Sequence, residues 1–203
     1  STCSNFGAMT LVNQKGGKVL RSTGITGVFC LRHGFWLPNG HARLTKGEKY
    51  CTTDYLVASV LRHFALMTTL ILAYDIACQW YKNLLRRLSK TPEWSDIYGS
   101  AMRFKDLAWR PVVPKFHLAA HKESCQSSFN LNYTLGAGES DGEASERVWA
   151  GFNPSAASLK EMGPGHHRDH MEDRCSWWNW AKHIGIGRSV RLGMVVEFDA
   201  LSI

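Results

Sequence analysis

The sequence predicts an α/β fold, on three observations. Thr68-Thr69-Leu70-Ile71-Leu72-Ala73-Tyr74 is β-branched and apolar, too short for a buried helix of its own, and ends in Asp75. It reads as a central strand with an acid at its C-terminal end. Segments on both sides of it carry apolar residues at helical spacing, and a second strand-length apolar run, Gly27-Val28-Phe29-Cys30-Leu31, precedes them.

The opening segment through Arg21 is polar and rich in turn residues, with Lys15-Gly16-Gly17-Lys18 as a loop. The strand at 27–31 is stopped by His33-Gly34 and by Leu37-Pro38-Asn39-Gly40, a strong turn signal. From Tyr55 to Met67, Val57, Val60, Leu61 and Phe64 recur at helical spacing, and Thr52-Thr53-Asp54 supplies capping residues at the start. After Asp75, residues Ala77, Trp80, Tyr81, Leu84, Leu85 and Leu88 share one helical face, leaving Lys82, Arg86 and Arg87 as a basic outer side. Residues 91–110 read as a loop or short helix holding Trp94 and Trp109. Beyond Pro111 and Pro114 come Lys115-Phe116-His117-Leu118-Ala119-Ala120-His121 and a Gly-rich passage around Gly136 and Gly138. Asp141-Gly142-Glu143-Ala144-Ser145-Glu146 then reads as a capped helix start, followed by Gly163-Pro164-Gly165, a His-rich turn and Trp177-Trp178-Asn179-Trp180.

At 203 residues and 44% hydrophobic content, the chain can bury the core of one domain with a small appendage. The formal charge of +7 points toward an acidic partner such as nucleic acid, although the basic residues are spread rather than gathered in one tract. No apolar run is long enough to span a membrane. Ser1-Thr2-Cys3-Ser4-Asn5 lacks an initiator Met and a signal sequence, so the chain reads as cut from something longer. The six cysteines have no C-x-x-C spacing and read as reduced thiols of an intracellular protein. Nothing resembles a nucleophile elbow, a P-loop or a dinucleotide fingerprint.

Two constellations carry chemistry. Asp75 at a strand end, with Glu143 and Glu146 three residues apart on one face of a later helix, is a pattern that can hold Mg²⁺ or Mn²⁺ for phosphoryl transfer, because hard cations take oxygen ligands. The bland alternatives are a solvated strand-end acid and an acidic helix N-terminus facing the macrodipole. His117, His121 and Cys125, at i, i+4 and i+8, would share a helical face and make a candidate Zn²⁺ set lacking a clear fourth ligand. Hydrogen-bonded histidines are the alternative there. His166, His167 and His170 form a looser cluster, and Trp177, Trp178 and Trp180 could stack bases or close a helix.

A series of ordered blocks resembles the fungal Kyakuja-Dileera-Zisupton (KDZ) DNA transposases. They are Gly27-Val28-Phe29-Cys30 with Arg32-His33-Gly34, Lys46-Gly47-Glu48-Lys49-Tyr50, Tyr74-Asp75-Ile76-Ala77-Cys78-Gln79-Trp80, and Val113-Pro114-Lys115-Phe116-His117-Leu118 with His121 and Cys125-Gln126. Asp141-Gly142-Glu143 with Glu146-Arg147, Lys160-Glu161-Met162-Gly163-Pro164-Gly165 and Trp178-Asn179-Trp180 follow in the same order. The resemblance covers residues 1–181, a fragment of the catalytic core, and leaves 182–203 as an extension of unassigned role. It implies a ribonuclease-H-like mixed sheet with flanking helices and an incomplete first strand. It also implies an acidic triad that cuts and joins DNA with Mg²⁺, with Asp75 as second acid and Glu143 as third. The position of the first acid matches Cys3 in Cys3-Ser4-Asn5-Phe6, and a thiol cannot replace a carboxylate on Mg²⁺. Arg43, Arg174-Cys175 and Trp177 also depart from the family pattern. The resemblance therefore implies a degenerate transposase core in the nucleus or elsewhere inside the cell, with DNA as partner and Lys82, Arg86 and Arg87 facing phosphate. Self-association is left open, and the rival readings are a catalytically inactive DNA-binding or interaction module and a zinc-stabilised structural domain.

Overall fold

Side chains alternate along the run that ends at Asp75, and that alternation builds two layers. The computed structural model describes residues 3, 22–45, 47–64, 66–90, 107–191 and 200–202, with side chains as far as 186. Strand β3 (Thr69–Ala73) sends Leu70 and Leu72 into one core cluster and Ile71 and Ala73 into another. A strand covered on both faces reads as a continuous apolar run, which is why this one was legible. β1 (Gly24–Cys30) pairs antiparallel with β2 (Trp36–Leu44), and β4 (Ala108–Val112) pairs parallel with β3. β5 (Ala200–Ser202) lies between β1 and β3, antiparallel to the first and parallel to the second, completing the mixed sheet order β2-β1-β5-β3-β4.

One layer is α1 (Tyr50–Leu61) with α2 (Ala77–Trp80) and α3 (Leu84–Ser89), joined by a 3₁₀ turn at Tyr81–Asn83. Leu56, Val57, Val60 and Leu61 of α1 pack with Trp80, Leu84, Leu88 and the β3 leucines. Each fully buried Leu contributes roughly 1.5–3 kcal/mol by leaving water. On β1 and β2, the other layer is α6 (Ala144–Phe152), α7 (Ala156–Glu161) and the long α8 (Pro164–Arg191), with Pro164 at the first helical position, where its missing N–H costs nothing. Phe29, Trp36, Trp149 and Phe152 meet there edge-on or tilted, with ring centroids 4.4–6.4 Å apart. Two short helices, α4 (Lys115–Leu118) and α5 (Glu123–Ser128), follow β4.

Several expectations are corrected. Leu37-Pro38-Asn39-Gly40 is no turn that ends the strand: it lies inside β2, where the register jumps between Gly27 and Phe29, so these residues bulge from an edge strand that tolerates proline. α1 begins at Tyr50, and Thr53 and Asp54 are buried within it rather than capping it. Asp54 accepts from Trp80 Nε1 (2.7 Å) and from Arg87 Nε (2.6 Å), and the Arg87 guanidinium also lies 4.9 Å from the centre of the Tyr50 ring. Arg87 thus faces inward, and Leu85 of the expected apolar face is 42% exposed, because the 3₁₀ turn shifts the helical phase. β4 replaces the irregular reading of 107–110, and Pro111 is accommodated at its edge position. His166, His167 and His170 lie in α8, not in a turn. The Lys15–Lys18 loop and Trp94 fall outside the described residues.

Candidate functional site

Asp75 sits two residues beyond β3, where the chain turns into α2: Tyr74 N–H donates to the Val112 carbonyl and Ala77 N–H to the Tyr74 carbonyl. The opposing wall is built by two loops locked together. Lys115 N–H donates to the Asp141 carbonyl (3.0 Å), and Phe116 N–H donates to Glu143 Oε1 (2.8 Å). Gly142, at φ 79°, makes this approach possible, since a Cβ there would lie 2.7 Å from Leu131 Cδ1 and 3.1 Å from Pro114 Cα. Asp141 then organises the start of α6, accepting from the Glu143 N–H (2.9 Å) and pairing with Arg147 (2.6 Å).

His117 is thereby placed between two carboxylates. Its Nε2 is 3.7 Å from Asp75 Oδ1 and 3.6 Å from Glu146 Oε1. Burial pushes the Asp75 carboxyl up to about 6; His117 opposes that rise, while Glu146, Glu48 and Glu143 add to it. Glu48, whose own carboxyl is raised by burial, accepts from the Tyr74 hydroxyl at 3.0 Å. The fold brings Asp75, Glu143 and Glu146 to one end of the sheet, with Glu143 ahead of α6 rather than on one of its faces, and adds Glu48 and His117.

A second group lies on the other side of Asp75. Cys78 is one turn past it in α2, and His121 and Cys125 come from the turn after α4 and from α5. The thiols of Cys3, Cys78 and Cys125 and one His121 ring nitrogen all lie within 4.8 Å of one another. Cys3 Sγ is 3.6 Å from Cys125 Sγ, and Cys78 Sγ is 3.4 Å from His121 Nδ1. Cys78 and His121 are buried, at 2% and 5% exposure. Burial pushes the Cys78 thiol up to about 12 and raises Cys125, whereas the Lys122 backbone N–H beside Cys3 holds its thiol below the usual range. This cluster could hold a metal such as zinc.

The expected set of His117, His121 and Cys125 is thus divided. Residues 119–122 interrupt the helix, so i, i+4 and i+8 do not share a face, and His117 turns to the acids while the other two turn to the thiols. Cys3 and Cys78 had no ligand spacing to betray them. Among the basic candidates, Lys82 and Arg86 are exposed and Arg87 is not available as an outward charge. The departures at Arg43 and Arg174 serve packing, donating to the carbonyls of Pro164 (2.8 Å) and Gly151 (3.1 Å). Trp178 donates to the Gly34 carbonyl (2.7 Å), while Trp177 and Trp180 are 69% and 57% exposed.

A mixed α/β core with an acid group and a thiol group at one end of its sheet is the class that the fold and site define. The family model of the Kyakuja-Dileera-Zisupton transposases matches residues 1–179, and the chain belongs to that family. No curated protein and no solved structure matches it. No helix among the described residues is long and apolar enough to cross a membrane.

Proposed function

We propose that the chain is a DNA-binding transposase core whose strand-cutting centre is incomplete. The observation that carries this reading is the placement of Cys3. The family resemblance puts the first acid at that position, and its thiol instead joins Cys78, His121 and Cys125. Asp75 is left with Glu146 across His117 and with Glu143, which accepts a backbone N–H. Mg²⁺ takes an octahedral set of oxygens. An imidazole wedged between two carboxylates, with a thiol at the position of the first acid, does not fit a two-metal site.

A ribonuclease-H-like reading of the fold draws on the mixed sheet with helices on both layers, in which β5 occupies the central place between β1 and β3. DNA binding draws on the family, on the charge of +7 and on the exposed Lys82 and Arg86 of one helical segment. Strand transfer remains the second reading, favoured by the convergence of Asp75 and Glu146 at the end of β3.

The test is duplex DNA binding across a salt series, paired with nicking of supercoiled DNA in Mg²⁺ or Mn²⁺ by the native chain and by Asp75→Ala. Binding that falls steeply with salt, without nicking, is expected. Nicking that Asp75→Ala abolishes would establish an active enzyme, and absence of salt-dependent binding would remove DNA as the partner.

A further inference from the structure

We infer that Cys3, Cys78, His121 and Cys125 bind one Zn²⁺ ion in a closed tetrahedral site that fastens Cys3 to α2 and α5. This inference stands independently of the DNA-binding reading.

The geometry suits that ion. With Zn–S near about 2.3 Å and Zn–N near about 2.0 Å, tetrahedral coordination puts two sulfurs about 3.8 Å apart and a sulfur and a nitrogen about 3.5 Å apart. The observed separations, 3.6 Å for Cys3 Sγ to Cys125 Sγ and 3.4 Å for Cys78 Sγ to His121 Nδ1, are close to those edges. The four ligand atoms come from four separate places in the chain, and their mutual approach within 4.8 Å is what a common ion produces. Three thiolates and an imidazole form a soft donor set that selects zinc over magnesium.

The surroundings provide what a structural zinc site requires. Gln126 Nε2 donates to the His121 carbonyl (2.8 Å), Gln79 Nε2 lies 3.9 Å from Cys78 Sγ, and Cys125 N–H donates to the Lys122 carbonyl (2.8 Å). Four protein ligands fill a tetrahedral shell and leave no coordination position for a substrate, so the site is structural. On binding, three thiol protons pass to solvent and the neutral His121 nitrogen donates its lone pair, giving a centre of net charge −1.

The same turn of chain explains why the acid group and the thiol group adjoin. Asp75 offers its carboxylate to His117, and Cys78 of the thiol group follows it by three residues, in α2. Cys3 at the position of the first acid supplies the fourth ligand, so the substitution that removes an oxygen donor completes a sulfur site.

The experiment measures metal on the full chain. Protein is purified under reducing conditions, its zinc quantified, and the metal-free form titrated with Zn²⁺ and with Co²⁺. One zinc per chain is expected, with the visible absorption of tetrahedral thiolate-bound Co²⁺. Cys3→Ser should weaken zinc binding by more than about 100-fold, since losing a direct ligand costs more than losing an outer partner. His117→Ala should leave zinc affinity unchanged. Should Cys78→Ser fail to fold, Cys3→Ser and the Co²⁺ spectrum decide the matter. Substoichiometric zinc both as purified and after reconstitution overturns the inference, as does a Cys3–Cys125 disulfide that returns no zinc binding after reduction. Loss of zinc in His117→Ala with retention in Cys3→Ser would move the site to another ligand set.

Discussion

Asn179 grips Trp36 by both of its backbone groups, accepting from the Trp36 N–H at 2.8 Å and donating to the Trp36 carbonyl at 2.9 Å. This side-chain amide acts as one residue of a neighbouring strand and ties α8 to the edge of the sheet. Asn179→Ala would leave both Trp36 groups without that partner in a partly buried place, and is expected to cost about 2–3 kcal/mol in chemical denaturation. Trp177→Ala on the exposed side of the same helix is the control, expected within about 0.5 kcal/mol of the native chain.

Asp54 is buried at 3% exposure and takes hydrogen bonds from Trp80 and Arg87. Asp54→Ala is expected to destabilise the chain by roughly 3 kcal/mol, because it strips the Arg87 guanidinium of its partner inside the α1–α3 layer. Thermal melts of the two proteins check this.

The same relationship separates the basic residues in DNA binding. Lys82→Ala and Arg86→Ala should each lower the slope of log affinity against log salt by about 1 with little change in stability. Arg87→Ala should lower the melting temperature and leave the slope unchanged. A slope reduced by Arg87→Ala in a fully folded protein would contradict its inward role.

Two glycines are spaces already taken. A Cβ on Gly27 would lie 2.5 Å from the Trp36 ring and 2.6 Å from the Phe29 ring, and one on Gly151 would collide with the Trp178 ring. Both meet the aromatic cluster rather than flexible chain ends. Alanine at either position is expected to cost about 1–3 kcal/mol by overpacking, measured by urea denaturation.

Asp75 should show its environment in its titration. With its carboxyl raised to about 6 in the fold, the native state holds a proton that the unfolded chain has released, so stability declines as pH rises from about 4 to about 6. The side chain is 39% exposed, and solvent screening keeps the effect to about 1 kcal/mol or less. Asp75→Asn should flatten this window, as read from melting temperature against pH. His117, Glu146, Glu48 and Glu143 face the same carboxyl.

The parts of this fold that announced themselves in sequence are those governed by one local period. β3 was legible because both faces are buried, and Asp75 because it ends that run; Glu146 lies in the first turn of α6, whereas Glu143 sits just ahead of that helix and turns its carboxylate to the Phe116 N–H. Periodicity failed wherever the period changed. The 3₁₀ turn at Tyr81–Asn83 rotated Arg87 inward, and the break at 119–122 separated His117 from His121. β4 was hidden by Pro111, and the thiol group by sequence distance, since Cys3, Cys78 and Cys125 share no spacing and meet only in three dimensions. One turn past an acid at a strand end is the single signal that could have marked Cys78.

The place of β5 in the sheet has a consequence for how the chain assembles. β1 and β2 form a hairpin, and β3 and β4 form a parallel pair, but the strand that joins the two halves arrives only after α8. On a ribosome, both halves and the described helices emerge while the sheet is still divided, with the inner edges of β1 and β3 unpaired. Closure of so long a loop makes the seam a late event in folding. A truncation ahead of residue 200 would leave two open sheet edges inside the protein, the kind of surface on which another chain's strand can add.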